Sequence, residues 1–260
     1  MIVGAGPAGL EAARVASLRG HQVTLYDKNI ELGDPLKVAA TPPGKGKILW
    51  FRDYLITQIN KQGVKVELKT EVTPELIDHV KPDAVIIATG SLPIIPDIPG
   101  IKDKRTITAV DVLSGKVSLT RQQVVVAGGG MVGCETAEFL AEHNNKVTVI
   151  EMLPTIAADM ELLHKKVLID SLKDKGVTML TERRLVEVTN KNIVIQDCQS
   201  GKTETLETDW LVLALGMKPL TALANALEDK VSELYVIGDC MEPRKFMEAV
   251  YEGSLAGRQL

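Results

Sequence analysis

One motif, present twice, most constrains what this chain can fold into. Gly-Ala-Gly-Pro-Ala-Gly occupies residues 4–9, and Gly-Gly-Gly-Met-Val-Gly occupies residues 128–133. Each has the spacing G-x-G-x-x-G, and each lies between a short apolar segment and a stretch with the apolar spacing of a helix. A strand, such a turn and a helix together are typical of a dinucleotide-binding fold. The sequence therefore predicts two such folds in one chain.

The agreement between the two copies extends beyond the glycines, at a constant offset of 124 residues. The further matches are Glu11 with Glu135, Ala13 with Ala137, Val23 with Val147, Thr24 with Thr148 and Asp27 with Glu151. Each copy thus ends in an acid about 20 residues past its loop, where a carboxylate would hold ribose hydroxyls. A nucleotide pyrophosphate would lie at the helix N-terminus, where backbone N–H groups without intrahelical partners point towards it.

Composition and charge exclude several other classes of protein. The 45% apolar content and the alternation of strand-like and helix-like segments favour an α/β fold. A formal net charge of −4 gives no general attraction to nucleic acid or to an anionic membrane. The three cysteines are far apart and form neither a CxxC pair nor a metal-ligand cluster. We therefore expect a cytoplasmic protein with no metal site.

The order of the other segments predicts the domain organisation. Helices are predicted over residues 10–18, 48–60, 74–80, 131–142, 161–175 and 244–260, and apolar strands over 22–26, 84–88, 123–127, 146–150, 210–215 and 234–237. Short alternating segments at 177–180, 183–189, 192–197 and 203–207 predict an antiparallel meander. This order predicts a three-layer α/β sandwich with two Rossmann-like domains. Residues 113–216 form the second domain, inserted into a first made of residues 1–112 and 217–260. Only three residues precede Gly4, so we expect the chain to be part of a longer protein.

Four further stretches carry a resemblance to a known family. Ala-Thr-Gly at 88–90 and Tyr-Val-Ile-Gly-Asp at 235–239, added to the two loops, resemble the pyridine nucleotide-disulfide oxidoreductase superfamily. Residues 133–142 and 237–245 are similar to the C-terminal FAD- and NAD(P)-binding half of the 2-enoate and 2,4-dienoyl-CoA reductases, which belong to the old yellow enzyme group. The resemblance covers essentially all 260 residues. It implies a glutathione reductase-like arrangement in which the first domain binds FAD and the second binds NAD.

The same resemblance implies an activity. In that family an N-terminal barrel carries FMN and the enoate site, next to a 4Fe-4S cluster. This chain has no cysteine set for a cluster and no strand-helix repeat for a barrel. It would therefore pass hydride from NADH to FAD and feed electrons to a partner barrel. The cofactors carry this chemistry, so no catalytic side chain is predicted.

The resemblance also assigns cofactor contacts residue by residue. The FAD set is Gly4, Gly6, Pro7, Ala8, Gly9, Asp27, Lys28, Gly33, Val72, Ala88, Thr89, Gly90, Gly238, Asp239 and Ala249. The NAD set is Gly128, Gly130, Met131, Val132, Gly133, Glu151, Ala214, Leu215 and Gly216. Within them, adenine is expected near Val72 and the flavin ring near Ala249.

Glu151 predicts the choice between NADH and NADPH. A carboxylate there accepts both ribose hydroxyls of NAD, whereas the 2′-phosphate of NADP would face it. At about 4 Å the repulsion amounts to about 1–4 kcal/mol. No Arg or Lys between residues 152 and 163 offsets it. The alternative is a strand-end acid with no ligand.

One departure from the family leaves two alternatives. The family usually has Gly-Gly-Gln where this chain has Gly33-Asp34-Pro35. Either the segment is an exposed turn in which both changes are harmless, or FAD binds less tightly. In the second case Asp34 adds negative charge near a pyrophosphate and Pro35 removes a backbone donor.

Two rival functions stay open. One is a non-catalytic ADP-binding domain, as in the trimethylamine dehydrogenase relatives, and the other is a stand-alone NADH oxidase or ferredoxin reductase. Homo-oligomerisation stays open.

Overall fold

The computed structural model describes residues 1–260, which cluster into two compact units. Unit 1 comprises residues 1–40, 46–92 and 217–260, and unit 2 comprises residues 41–45 and 93–216. The chain passes from unit 1 to unit 2 after residue 92 and returns after residue 216. Residues 106–108 form a strand of the unit 2 sheet.

The secondary structure follows the chain in three runs. The first run contains β1 (Ile2–Val3), α1 (Pro7–Leu18), β2 (Thr24–Tyr26), α2 (Asp34–Ala40), α3 (Ile48–Lys61), β3 (Lys65–Glu67), α4 (Pro74–Val80), β4 (Val85–Ile87) and β5 (Ser91–Pro93). The second contains β6 (Thr106–Thr108), α5 (Ala109–Leu113), β7 (Gln123–Ala127), α6 (Met131–Glu142), β8 (Lys146–Ile150), α7 (Leu162–Asp174), β9 (Thr178–Leu180), β10 (Arg183–Val188), β11 (Asn192–Asp197), β12 (Thr203–Glu207) and β13 (Trp210–Leu213). The third contains β14 (Met217–Pro219), α8 (Ala222–Leu227), β15 (Leu234–Val236), a 3₁₀ turn at 238–240 and α9 (Phe246–Gln259).

Unit 1 is built on a parallel sheet of order β15-β4-β1-β2-β3. Because successive side chains point to opposite faces, Ile2 packs with α1, α3 and α9 on one side. Its neighbour Val3 packs with residues of α4 and α8 on the other. The sheet is therefore buried on both faces, as parallel sheets require.

Unit 2 repeats this strand order as β6-β13-β7-β8-β9, again parallel. Helices α5, α6 and α7 cover one face. The antiparallel sheet β10-β11-β12 contributes Ile193 and Ile195 to the other. The predicted α/β class with two Rossmann-like folds is confirmed.

Two sequence predictions need correction, and two short helices were not predicted. Residues 178–180 were predicted to join the antiparallel meander, yet β9 pairs in parallel with β8, because the crossover through α7 returns the chain in the same direction. Residues 34–40 form helix α2, where a turn was predicted at its start. Helices α5 and α8 are too short to give a periodic signal.

None of the helices combines the length and the apolar content that crossing a membrane needs.

Candidate nucleotide-binding sites

The first glycine of each loop lies against the end of a neighbouring strand. Gly4 and Gly128 have φ of +106° and +103°, a region that favours glycine. A Cβ on Gly4 would overlap the carbonyl oxygen of Ala88 after β4, and one on Gly128 would overlap that of Ala214 after β13. The sequence-predicted pairs of loop and strand end are thus brought together in both units.

The third glycine of each loop lets the start of the helix pack closely against the first glycine. A Cβ on Gly9 or on Gly133 would overlap the carbonyl oxygen of the first glycine in the same loop. The second glycines, Gly6 and Gly130, both serve as N-caps with extended backbones at φ of −73° and −70°. The loops thus form two nearly identical cradles without side chains, which fit a phosphate group at the start of α1 and of α6.

A carboxylate is fixed at the edge of each loop. Asp27 accepts the backbone N–H of Ala5 at 2.6 Å and that of the residue two positions further on at 2.7 Å. Glu151, which is 8% exposed, accepts the N–H of Gly129 at 2.6 Å and again that of the second following residue at 2.8 Å. Since an ionised carboxylate offers about four acceptor positions, each retains capacity for ribose hydroxyls.

The repeat continues past these acids, which the sequence comparison missed. Gly33 donates its N–H to the carbonyl oxygen of Ala5 at 2.9 Å, and Ala157, 124 residues later, donates to that of Gly129 at 2.6 Å. Both residues have left-handed backbones, with φ of +70° and +51°. The chain therefore folds back onto the loop in the same way in both units. No residue identity marks this correspondence, so only the constant offset could have found it.

The residue two positions beyond this turn lies over the second glycine of the loop, and here the units differ. In unit 1 the Cγ atom of Pro35 is 3.9 Å from where a Cβ on Gly6 would lie. In unit 2 the corresponding residue is Asp159, whose Oδ1 accepts the N–H of Met131 at 2.9 Å. Pro35, which is exposed, thus lies at the start of α2 beside the loop.

Three more residues of the predicted FAD set meet around Gly238. A Cβ on Gly238, which has φ of +67°, would lie 3.0 Å from the Cβ of Ala8 and 3.7 Å from that of Ala249. The neighbouring Asp239 accepts a hydrogen bond from the Ser91 hydroxyl at 3.0 Å. The start of α9 is therefore packed directly against the start of α1.

The remaining predicted residues differ in their burial and contacts. Val72 is buried in the apolar cluster of β1 and β2. The Thr89 hydroxyl donates to the carbonyl oxygen of Leu220 at 3.1 Å. Gly90 and Gly216 turn the chain after β4 and β13 with φ of +76° and +92°. Lys28, Val132 and Leu215 are exposed.

Two of the three cysteines are buried. Cys134 is fully buried, and its Sγ donates to the carbonyl oxygen of Gly129 at 3.2 Å. Burial raises the pKa of the Cys134 thiol to about 12, so it stays protonated at neutral pH. Cys240 is equally buried and donates to the carbonyl oxygen of Ile237 at 3.0 Å. Both thiols are thus held inside the protein by hydrogen bonds to backbone carbonyl oxygens.

Buried acids also occupy matched positions on the two loop helices. Glu11 on α1 pairs with Arg14 at 2.7 Å. Glu135 on α6 pairs with Lys45, and its burial raises the pKa of its carboxyl group. Residues 41–45 therefore belong to unit 2 although they are flanked in sequence by unit 1.

Comparison with known proteins identifies the family that the sequence matches. Residues 1–253 match the family described as pyridine nucleotide-disulphide oxidoreductase. The chain is 41% identical over 257 residues to an NADH oxidase of Thermoanaerobacter brockii, covering 97% of this chain and 39% of that protein. It is 37% identical over 261 residues to a bilirubin reductase of Mediterraneibacter gnavus, covering 100% and 40%.

A solved structure agrees over the whole chain. A 2-naphthoyl-CoA reductase complexed with 2-naphthoyl-CoA superimposes with a TM-score of 0.93 at 35% identity, covering 100% of this chain and 39% of that one. The chain thus spans about two fifths of the length of each of these three relatives. These matches confirm the resemblance predicted from the motifs.

Proposed function

The chain belongs to the pyridine nucleotide-disulphide oxidoreductase family, and we propose that it binds FAD in unit 1 and NADH in unit 2 and passes hydride from NADH to FAD. The observation that carries this proposal is the duplicated cradle. Each unit has a glycine loop at the start of a helix of 12 residues and a carboxylate bonded to that loop. One such site serves one dinucleotide, so two of them suit a flavin and a nicotinamide cofactor.

The chain's own residues bind and orient the two cofactors. In unit 1, Gly4, Gly6 and Gly9 face the FAD pyrophosphate, and Asp27 holds the adenosine ribose. Ala8, Gly238 and Ala249 form a floor of small residues at the joined starts of α1 and α9. In unit 2, Gly128, Gly130 and Gly133 face the NADH pyrophosphate, and Glu151 holds its ribose. When bound, the cofactors supply the hydride donor and the electron acceptor.

The test is a visible spectrum of the purified chain before and after anaerobic addition of NADH. We expect an oxidised-flavin band that bleaches with NADH and bleaches more slowly with NADPH. A chain that takes up FAD but is not reduced by NADH would contradict hydride transfer. A colourless chain that takes up no added FAD would contradict the flavin assignment.

We propose further that the reduced flavin delivers its electrons to a separate region carrying an iron–sulfur cluster and FMN. The relatives named above support this, because about three fifths of each lies outside the matched part. The substrate class follows the resemblance: an enoate, dienoyl-CoA or related activated double bond. The test is reduction of such an acceptor by NADH when this chain is joined to that region, compared with this chain alone.

One observation favours a second function, a non-catalytic domain that holds ADP. Pro35 lies next to Gly6 in the loop of unit 1 and has no backbone N–H to donate there. Asp34, beside it, is the first residue of α2. In the family the second glycine lets the backbone run close to the ribityl chain, a part of FAD that ADP lacks, and here Asp34 adds a side chain at that position. Calorimetry decides between the two: a chain that binds ADP and excludes FAD supports the structural role.

A further inference from the structure

We infer that Asp159 occupies the position of the NADH pyrophosphate on helix α6 and must move aside for the dinucleotide to bind, so that it sets the affinity of unit 2 for pyrophosphate-containing nucleotides. This inference rests on the proposed function of unit 2. It goes beyond that function because it assigns a role to a residue outside the loop and outside the ribose acid.

The geometry places a carboxylate where a phosphate is expected. Met131 is the first residue of α6, so its N–H has no partner within the helix. Asp159 Oδ1 accepts that N–H at 2.9 Å, and both its carboxylate oxygens lie 3.5 Å from the Cβ position on Gly130. Glu151 holds the buried side of the same loop through Gly129, whereas Asp159 lies on the exposed side. A nucleotide approaches from the exposed side.

Unit 1 shows that the contact is not a requirement of the fold. The residue corresponding to Met131 is Pro7, which has no N–H, and the residue corresponding to Asp159 is Pro35. The N-cap glycines have the same backbone, with ψ of −174° at both Gly6 and Gly130. The loop and its helix therefore form without the hydrogen bond. Donor and acceptor are both present in unit 2 and both absent in unit 1.

The segment that carries Asp159 is held close to the loop. Ala157 adopts a left-handed backbone with φ of +51° to donate to Gly129, and the buried Ile156 packs against the same glycine. Non-glycine residues reach this conformation only at a cost that the surroundings must offset. These contacts of residues 156 and 157 hold Asp159 next to the start of α6.

The electrostatic consequence is direct competition. A pyrophosphate brings two negative charges to a helix N-terminus that Asp159 already neutralises. Binding must replace the Asp159 hydrogen bond and also place like charges side by side. An anion at such a position is worth about a fivefold change in an equilibrium constant. Removing the charge at 159 should therefore tighten dinucleotide binding.

The experiment compares Asp159→Asn with the original chain, using the full chain saturated with FAD. Calorimetric titration with ADP-ribose, which carries the pyrophosphate, should give a dissociation constant lowered about fivefold in the variant. Titration with adenosine, which lacks phosphate, should give an unchanged value. Asp159→Ala, which also removes the acceptor, should behave like the Asn variant.

A matched control is Glu161→Gln. Glu161 is two residues further on, and its carboxylate accepts the N–H of His164 at 3.3 Å at the start of α7 rather than at the loop. The variant removes the same charge from the same segment, so it corrects for long-range electrostatics. It should change ADP-ribose binding less than twofold.

The outcomes separate this inference from the proposed function. Unchanged or weaker ADP-ribose binding in Asp159→Asn, or an equal gain for adenosine, would overturn the role of Asp159 while leaving the NADH site intact. A lower melting temperature with no gain in affinity would mark Asp159 as a helix cap only. Failure of every chain, variants included, to bind ADP-ribose or NADH would overturn the NADH site itself and this inference with it.

Discussion

The glycine loops of units 1 and 2 share some contacts and differ in others, and this difference separates features common to both units from features particular to one. Their first and third glycines have the same close contacts, and Asp27 and Glu151 make the same pair of backbone hydrogen bonds. In the proposed function, these shared features would bind the parts common to all dinucleotides, the pyrophosphate and the ribose. The differences lie at Pro7 against Met131 and at Pro35 against Asp159. They change the hydrogen-bond donors and the charge at the helix N-terminus, so we expect the two loops to bind the same pyrophosphate with different affinities.

The surroundings of the two sheets differ more than the loops do. The far face of the unit 1 sheet is covered by residues of α4 and α8, whereas that of unit 2 is covered by the antiparallel strands β10 to β12. The strand order beneath is nevertheless the same. The loop geometry therefore depends on the central strands and the helix that follows the loop, and tolerates different packing on the opposite side.

The largest expected effect comes from adding a methyl group to the third glycine. Gly9→Ala should abolish FAD binding, and Gly133→Ala should abolish NADH binding while unit 1 still binds FAD. Each Cβ would overlap a backbone carbonyl oxygen that has no room to move, at a cost of about 3 kcal/mol. Flavin absorbance and calorimetric titration with NADH measure the two losses.

The exposed Gly44 supplies the control for these variants, because a Cβ there meets nothing within 4 Å. Since Gly44 has φ of +76°, Gly44→Ala should cost stability through its backbone alone and leave both cofactors bound. If Gly9→Ala also removed NADH binding, the two cradles could not be treated as separate sites.

The next effect concerns the ribose acids. Glu151→Gln keeps an acceptor for the loop N–H and removes the charge. The ratio of kcat/KM for NADPH to that for NADH should therefore rise by five- to several-hundredfold, corresponding to about 1–4 kcal/mol. Asp170→Asn, an exposed acid on α7, should leave the ratio unchanged. A ratio unaffected by Glu151→Gln would show that this carboxylate does not face the ribose.

Many features shared by the two units could be predicted from the sequence. The others could not, for physical reasons. The glycine spacing and the acids at 27 and 151 are readable because they depend on local geometry. The fold-back at Gly33 and Ala157 uses backbone donors and acceptors, so it leaves no residue identity. The parallel pairing of β9 is equally hidden, because an alternating pattern shows which face is buried and not which strand is the partner.

A smaller effect tests the residue over the unit 1 loop. Pro35→Gln restores a backbone N–H in the first turn of α2, close to Gly6. One additional hydrogen bond to the bound flavin nucleotide is worth about 1 kcal/mol, so the dissociation constant of FAD should fall about fivefold. Pro43→Gln, in the segment before α3, is the control and should leave it unchanged. Tighter ADP binding without tighter FAD binding would favour the structural role.

The smallest effect concerns the two left-handed residues. Ala157→Gly should leave the stability of unit 2 within about 0.5 kcal/mol of its original value, because the relief of the left-handed backbone at φ of +51° is offset by the loss of a fully buried methyl group. Gly33→Ala should destabilise unit 1 by more, because the added Cβ would also lie 2.9 Å from the Cγ of Arg52. Hydrogen exchange of the β7 and β1 amides reports each unit separately. If Ala157→Gly instead lost more stability than that, the alanine methyl group would hold the turn of unit 2 in place. The turns at Gly33 and Ala157 would then be equivalent only in their hydrogen bonds.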